Sequence, residues 1–310
     1  MSRLQADLLL LVVALIWGSA FVAQSLGMAN VGPYTFTAAR FWLGALIVAP
    51  LAWREMRERG RAAGARAVLP AGRDLRLMAV LGTLLFLGAA FQQIGIVSTT
   101  VTNAGFLTAL YVPLVPVLAW LINRHRPHWS TWPAAIGCLL GSWLLTGGQA
   151  IAINSGDLWV VASAVFWAGH ILLLGQTTKH PIGPFTVACG QFLIVGVLGT
   201  VVALILEPVT LAKLSAAASS IAYAGILSVG FAFTAQVIAQ RHTLPADTAI
   251  IISSEMAFAA IFGAIWFGDK LDSSGILGCV LILFGSLLVQ LLPLFEAMRK
   301  IGKPAVGTKP

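Results

Sequence analysis

Glu255 is the one acidic residue near the middle of a long apolar run. A carboxylate cannot comfortably face lipid, so its side of the helix must meet a cavity or a partner. Two roles fit: a site for a proton or a substrate ammonium, or a hydrogen-bonded glutamate that joins helices. Thr248, Ile251 and Ile252 share its helical face. At 1.5 Å per residue Glu255 stands about 12 Å above the start of its helix, and His170 reaches a similar depth. His170 is therefore a possible partner for it, or a hydrogen-bonding link between helices. Arg40 lies about 10 Å below the nearer surface. A snorkelling arm spans that depth, so an interfacial arginine is preferred to an anchor for a substrate carboxylate.

Other residues bear on transport rather than on bond chemistry. Trp17 and Trp167 sit near mid-depth, away from the interface where tryptophan usually gathers. Pro113 and Pro116 fall inside one apolar run, and each should free a carbonyl, those of Ala109 and Val112. A bend there would gate or line a path and is preferred to a kink that serves packing alone. Asn103, Gln92, Gln93, Gln236 and Gln240 read as polar links between helices, with a minority lining a path. Gly263 to Lys270 has Walker-like glycine spacing, but Asp269 stands where the lysine belongs. No zinc-protease, serine-hydrolase or Cys/His metal pattern is present in the sequence, so no catalytic residue, metal or cofactor is expected.

These residues are carried by an extremely apolar chain. Of 310 residues, 58% are hydrophobic and 10% charged. Mean hydropathy is +0.90. Soluble domains carry about 25% charged residues. The composition excludes a soluble enzyme, a disulfide scaffold and a disordered chain, and it points to an all-α polytopic membrane protein whose first partner is the bilayer. A net charge of +8 has a simpler cause than nucleic acid, because basic residues collect in cytoplasmic loops. Cys138, Cys189 and Cys279 all lie in apolar runs and should be buried and reduced. Asp7 interrupts the first apolar run and no cleavage pattern follows, so that run is read as a retained span.

Apolar runs predict ten transmembrane helices, at 6–29, 33–53, 75–97, 101–123, 129–148, 157–178, 184–206, 217–240, 247–267 and 273–294. Residues 54–74 form the long hydrophilic loop, and 295–310 a polar tail. With the N-terminus inside, 16 Lys and Arg fall on the cytoplasmic side, two outside, and Arg40 within a span. Both termini should then be cytoplasmic. The chain also repeats. Trp17 and its neighbours match those of Trp167 at an offset of 150, and Gly32-Pro33 matches Gly183-Pro184 at 151. Gly82 and Gln93 match Gly225 and Gln236 at 143, and Gly137-Cys138 matches Gly278-Cys279 at 141. The predicted halves are 6–148 and 157–294. Five spans per half make the repeat inverted, with a central cavity between the halves.

Ala14 to Val22 resembles the first-helix signature of EamA-type transporters in the drug/metabolite transporter superfamily. Pro33 with Arg40-Phe41, Thr99 to Trp120 including Leu110 to Pro113, and Gly156-Asp157-Leu158 are similar to later parts of that pattern. The chain departs from it at Glu255-Met256, usually Glu-Pro, and at Gln191, which stands opposite Arg40. The resemblance implies an inner-membrane secondary transporter that exports small metabolites, and among such proteins the chain most resembles YddG-like amino-acid exporters. A proton-coupled antiporter is the alternative; a membrane enzyme or channel fits less well. Because the repeat lies within one chain, a monomer is the expected unit. Trp17, Ser19, Tyr111, Trp167, His170, Ser254 and Glu255 are the expected cavity residues, with Pro113 and Pro116 as kinks.

The charge asymmetry generates a topology test. In intact cells, an impermeant thiol reagent should label a single cysteine at Ala150 and leave one at Gly64 unlabelled. The reverse pattern would invert every loop assignment.

Overall fold

The computed structural model describes residues 1–99, 101–124, 126–147, 154–268 and 272–301. Gly148, Ala150, Asp269, Lys270 and residues 302–310 lie outside these, as does the side chain of Asn103. Among the described residues, nine helices are long and apolar enough to cross a membrane, and Thr131–Leu145 is a shorter apolar helix. At 1.5 Å per residue this fifteen-residue helix is about 22 Å long, less than a hydrocarbon core of about 30 Å.

The helices in chain order are α1 (Arg3–Met28), α2 (Pro33–Ala62), α3 (Gly72–Ser98), α4 (Val101–Thr108 and Tyr111–Asn123) and α5 (Thr131–Leu145). They continue with α6 (Ser155–Gly175), α7 (Pro184–Leu206), α8 (Ala218–Ala239), α9 (Pro245–Ile252 and Glu255–Phe267) and α10 (Ser273–Ile301). Several ends differ from the hydropathy reading. α2 runs nine residues past the predicted end at 53, carrying Arg54, Arg57, Arg59 and Arg61 on a helical extension. Hydropathy marks where lipid ends, whereas helix needs only backbone bonding, and Arg54 supports it through Glu58 at 2.7 Å, one turn on. α10 likewise continues to Ile301, into the predicted tail. α1 begins earlier than predicted because Ser2 and Gln5 form a reciprocal cap.

Two helices break at mid-length. α4 turns at Ala109 and Leu110, close to Pro113. The Ala109 carbonyl, expected to be free, accepts from Val112 N at 2.9 Å. α9 turns at Ser253 and Ser254, with no proline inside. There, hydroxyls take over the carbonyl: Ser253 Oγ and Ser286 Oγ donate to Ile250 O at 2.7 and 3.1 Å. Serine hydroxyls thus satisfy the backbone at a break that contains no proline. α8 is wound as a π-helix from Ala224 to Phe233.

α2 packs along α7, and α5 along α10. α3 packs on α6 and α7, and α8 on α1 and α2. α1 packs on the second segment of α9, and α6 on the second segment of α4. In lipid, close approach replaces the hydrophobic effect as the main attraction between helices. Gly141 and Gly278 meet backbone to backbone across α5 and α10, where a Cβ on Gly141 would sit 2.6 Å from Gly278 O. Gly137, paired with Gly141 by spacing, has its nearest neighbour atom at 3.8 Å from that position and makes no such approach.

α2 and α7 are also tied at both ends. Glu207, just past α7, accepts from Tyr34 N and Thr35 N at 2.8 Å and from Thr35 Oγ1 at 2.6 Å. Glu55, near the end of α2, accepts from Thr186 N at 2.9 Å and Thr186 Oγ1 at 2.7 Å. Each carboxylate fills the start of the other's helix, where free N–H groups and the dipole favour negative charge. Gly32 and Gly183 leave the room; a Cβ on either would collide with the carboxylate carbon.

This packing gives a stability prediction. In detergent, Gly32→Ala and Gly183→Ala should each cost about 1–3 kcal/mol through overpacking. Glu207→Ala should cost about 1 kcal/mol through the lost cap. Arg54→Ala, at an exposed ion pair, should leave the thermal midpoint unchanged.

Candidate functional site

A cavity of about 560 Å³, counted to its mouth, lies among α1, α2, α3, α4, α6, α8 and α9. Its wall has three kinds of residue. The aromatic part is Trp17, Phe21, Tyr111, Trp167 and Phe233. The neutral polar part is Gln24, Gln92, Thr108, Ser228 and Gln236. Arg40 and Glu255 bring a guanidinium and a carboxyl group, and Ile171 and Ile252 complete the wall.

Phe233 organises the aromatic side. Its ring centre lies 4.5 Å from that of Trp17 and 6.1 Å from that of Trp167, stacked with the latter at 13°. Phe41 and Phe192 close in from behind at 5.8 and 6.3 Å. The π-wound stretch contributes directly: Trp17 Nε1 donates to Ser228 O at 3.2 Å. Wider winding at functional sites is a recurrent use of π geometry. The two tryptophans therefore pack and line the cavity at once. Trp167 Nε1, the Tyr111 hydroxyl and Gln236 Oε1 are buried without a hydrogen-bond partner among the described residues.

The break in α9 places Glu255 at the head of its second segment. Glu255 is 7% exposed, and its carboxylate makes no hydrogen bond or ion pair among the described residues. His170 is not its partner. The imidazole is fully buried, and its Nε2 pairs with Gln191 Oε1 at 2.9 Å. Gln191 thus ties α7 to α6.

Four of the seven expected cavity residues line this space: Trp17, Tyr111, Trp167 and Glu255. Ser19, His170 and Ser254 are not in its wall. Ser19 Oγ bonds Tyr223 Oη at 2.6 Å, and Ser254 Oγ bonds Ser286 Oγ at 2.6 Å. Pro113 is half-buried and Pro116 buried, both in the second segment of α4, and neither lines the cavity. Arg40 corrects the snorkelling reading: it is 4% exposed and faces the cavity. Rise per residue gives depth but not rotation, and α1 supplies Gln24 as a partner for it at 3.1 Å. Gln24 was missed as a site residue; a polar residue one helix away, with no spacing motif, carries no signal in sequence. Of the expected links, Gln92 donates to Thr108 Oγ1 at 3.0 Å and Gln93 to Met28 Sδ at 3.0 Å. Gln240 donates to Ile171 O at 2.7 Å, closing the bundle below the wall. Cys138 and Cys189 are buried, Cys279 half-buried, and none forms a disulfide.

Substitutions should separate wall from support. Ser254→Ala should lower thermal stability by about 1 kcal/mol through its lost hydrogen bond and leave substrate affinity unchanged. An affinity change beyond twofold would place Ser254 at the substrate.

Comparisons with known proteins bear on this cavity. The model of the EamA-like transporter family matches residues 4–147 and again 154–291. An uncharacterized transporter of Archaeoglobus fulgidus is 27% identical over 293 residues, covering 94% of this chain and 87% of the relative. The uncharacterized transporter YwfM of Bacillus subtilis is 24% identical over 299 residues, covering 93% and 94%. A crystal structure with 19% identity superposes at a TM-score of 0.76, covering 97% of this chain and all of the other, so the fold is shared.

Proposed function

The chain belongs to the EamA-like transporter family, and from that premise we propose that it is a secondary carrier exporting neutral and aromatic amino acids across the inner membrane. One observation carries the substrate reading. A lone carboxylate, Glu255, stands in a cavity walled by Trp17, Trp167, Tyr111 and Phe233. A substrate ammonium would gain from the carboxylate and from aromatic faces, and an apolar side chain would gain from ring packing. Ring faces select by apolar area rather than by fixed hydrogen bonds, so discrimination among apolar side chains is broad.

The two family matches and the packing support an inverted repeat of ten spans, with α5 as the short one. Exchanging each helix for the one five places along carries the main packed pairs onto one another: α1–α8 becomes α6–α3, α1–α9 becomes α6–α4, and α2–α8 becomes α7–α3. The α2–α7 and α5–α10 pairs map onto themselves. The breaks in α4 and α9 correspond in the same way. Such a repeat lets the halves exchange conformations around a fixed central site. Both termini are placed in the cytoplasm, and a higher substrate concentration inside drives net flux outward by alternating access.

Counterflow of the twenty amino acids into liposomes loaded with unlabelled substrate tests the proposal. Saturable exchange of phenylalanine and other neutral amino acids is expected, and failure of all twenty would refute the substrate class. Trp17→Ala and Trp167→Ala should each weaken phenylalanine by about fivefold or more, from a loss of about 1 kcal/mol, and alanine by less. Unchanged relative affinities in normally inserted protein would make both rings packing residues.

A further inference from the structure

Arg40 is a buried cation without an anion. Its guanidinium has five N–H donors. Among the described residues its one hydrogen-bond acceptor is Gln24 Oε1, at 3.1 Å. Arg40 Nε is buried with no partner. The Phe36 and Phe41 rings lie 5.6 and 5.3 Å from its central carbon, which orients the group without neutralising it. No Asp or Glu of the described residues lies within ion-pair distance. Removing a charge from water costs several kcal/mol unless an opposite charge or a full set of hydrogen bonds replaces the water. A buried, unneutralised guanidinium in a cavity wall is therefore built for an anion that arrives with the ligand.

Glu255 has the opposite deficit in the same wall. The two do not neutralise each other. Counting 1.5 Å per residue from the outer helix ends, Arg40 lies about 10 Å deep and Glu255 about 18 Å. That offset suits a head group carrying a carboxylate toward the outer side and an ammonium deeper in. We infer that Arg40, oriented by Gln24, is the carboxylate-binding pole of the cavity, so that the ligand is held at both charged ends. This rests on the amino-acid reading above and adds a requirement to it. Amines lacking the carboxylate lose their hold on Arg40, whereas des-amino acids keep it.

Calorimetric titration of the full-length protein in detergent with L-phenylalanine, 3-phenylpropionate and phenethylamine tests the inference. The unmodified protein should bind phenylalanine best and should also bind phenylpropionate. Arg40→Met should weaken both acids at least tenfold and phenethylamine less than twofold. Arg40→Lys keeps the charge but not the planar fork, and should weaken both acids by an intermediate factor. It also serves as the readout where Arg40→Met does not fold. An equal loss for all three ligands, or no loss for the acids, would overturn the carboxylate role while leaving the amino-acid reading intact. Binding of phenethylamine without either acid would also overturn it. Binding of none of the three to unmodified protein would remove the amino-acid reading and this inference together.

Discussion

Two carboxylates, Glu55 and Glu207, hold α2 and α7 together at opposite ends. Each stands near the end of one helix and closes the first turn of the other. The tie is electrostatic as well as geometric, since both meet the positive end of a helix dipole. Between the ties the pair is packed along its length. Most other elements are placed against it directly or through one neighbour, and α5 and α10 are reached through α4 and α9. α3 and α8 lean on it from either side, and α1 and α6 lean on them. The cavity is the space these outer helices leave around Phe233, itself packed on Phe41 of α2 and Phe192 of α7.

The central pair is helical without a break along its length. The irregular backbone lies in α4, α8 and α9, as two mid-length turns and a π-wound stretch. All three helices touch the cavity. Freed or strained backbone groups in a membrane must be satisfied by protein. Here Ser253 and Ser286 satisfy Ile250 O, and Trp17 satisfies Ser228 O. Local bending is thereby coupled to side chains in or beside the cavity wall.

The halves are similar in packing and unlike in chemistry. Where α2 turns Arg40 toward Gln24, α7 turns Gln191 toward His170. The first tie stands in the cavity wall, and the second lies outside it. Glu255 has no acidic counterpart in α4. The packed pairs give the two halves a similar frame, and these side chains differ within it.

Hydropathy alone located the helices, because lipid demands long apolar runs whatever surrounds them. The glycine and tryptophan matches fall in the two stretches, 4–147 and 154–291, that the family model matches in turn. Glu255 was legible as a cavity residue because a carboxylate has so few places to be in a membrane. What stayed illegible was anything set by helix rotation or by a partner from another helix. Arg40 read as interfacial from its depth, and its burial depends on Gln24, Phe36 and Phe41 around it. Ser254 and His170 read as wall residues from their depth, and Ser286 and Gln191 turned them inward. The sequence by itself determined the class, the spans and the polar residues that had to be buried. The tertiary structure decided which of them face the cavity, because a hydrogen bond between helices depends on how each is rotated and packed, which no one-dimensional spacing encodes.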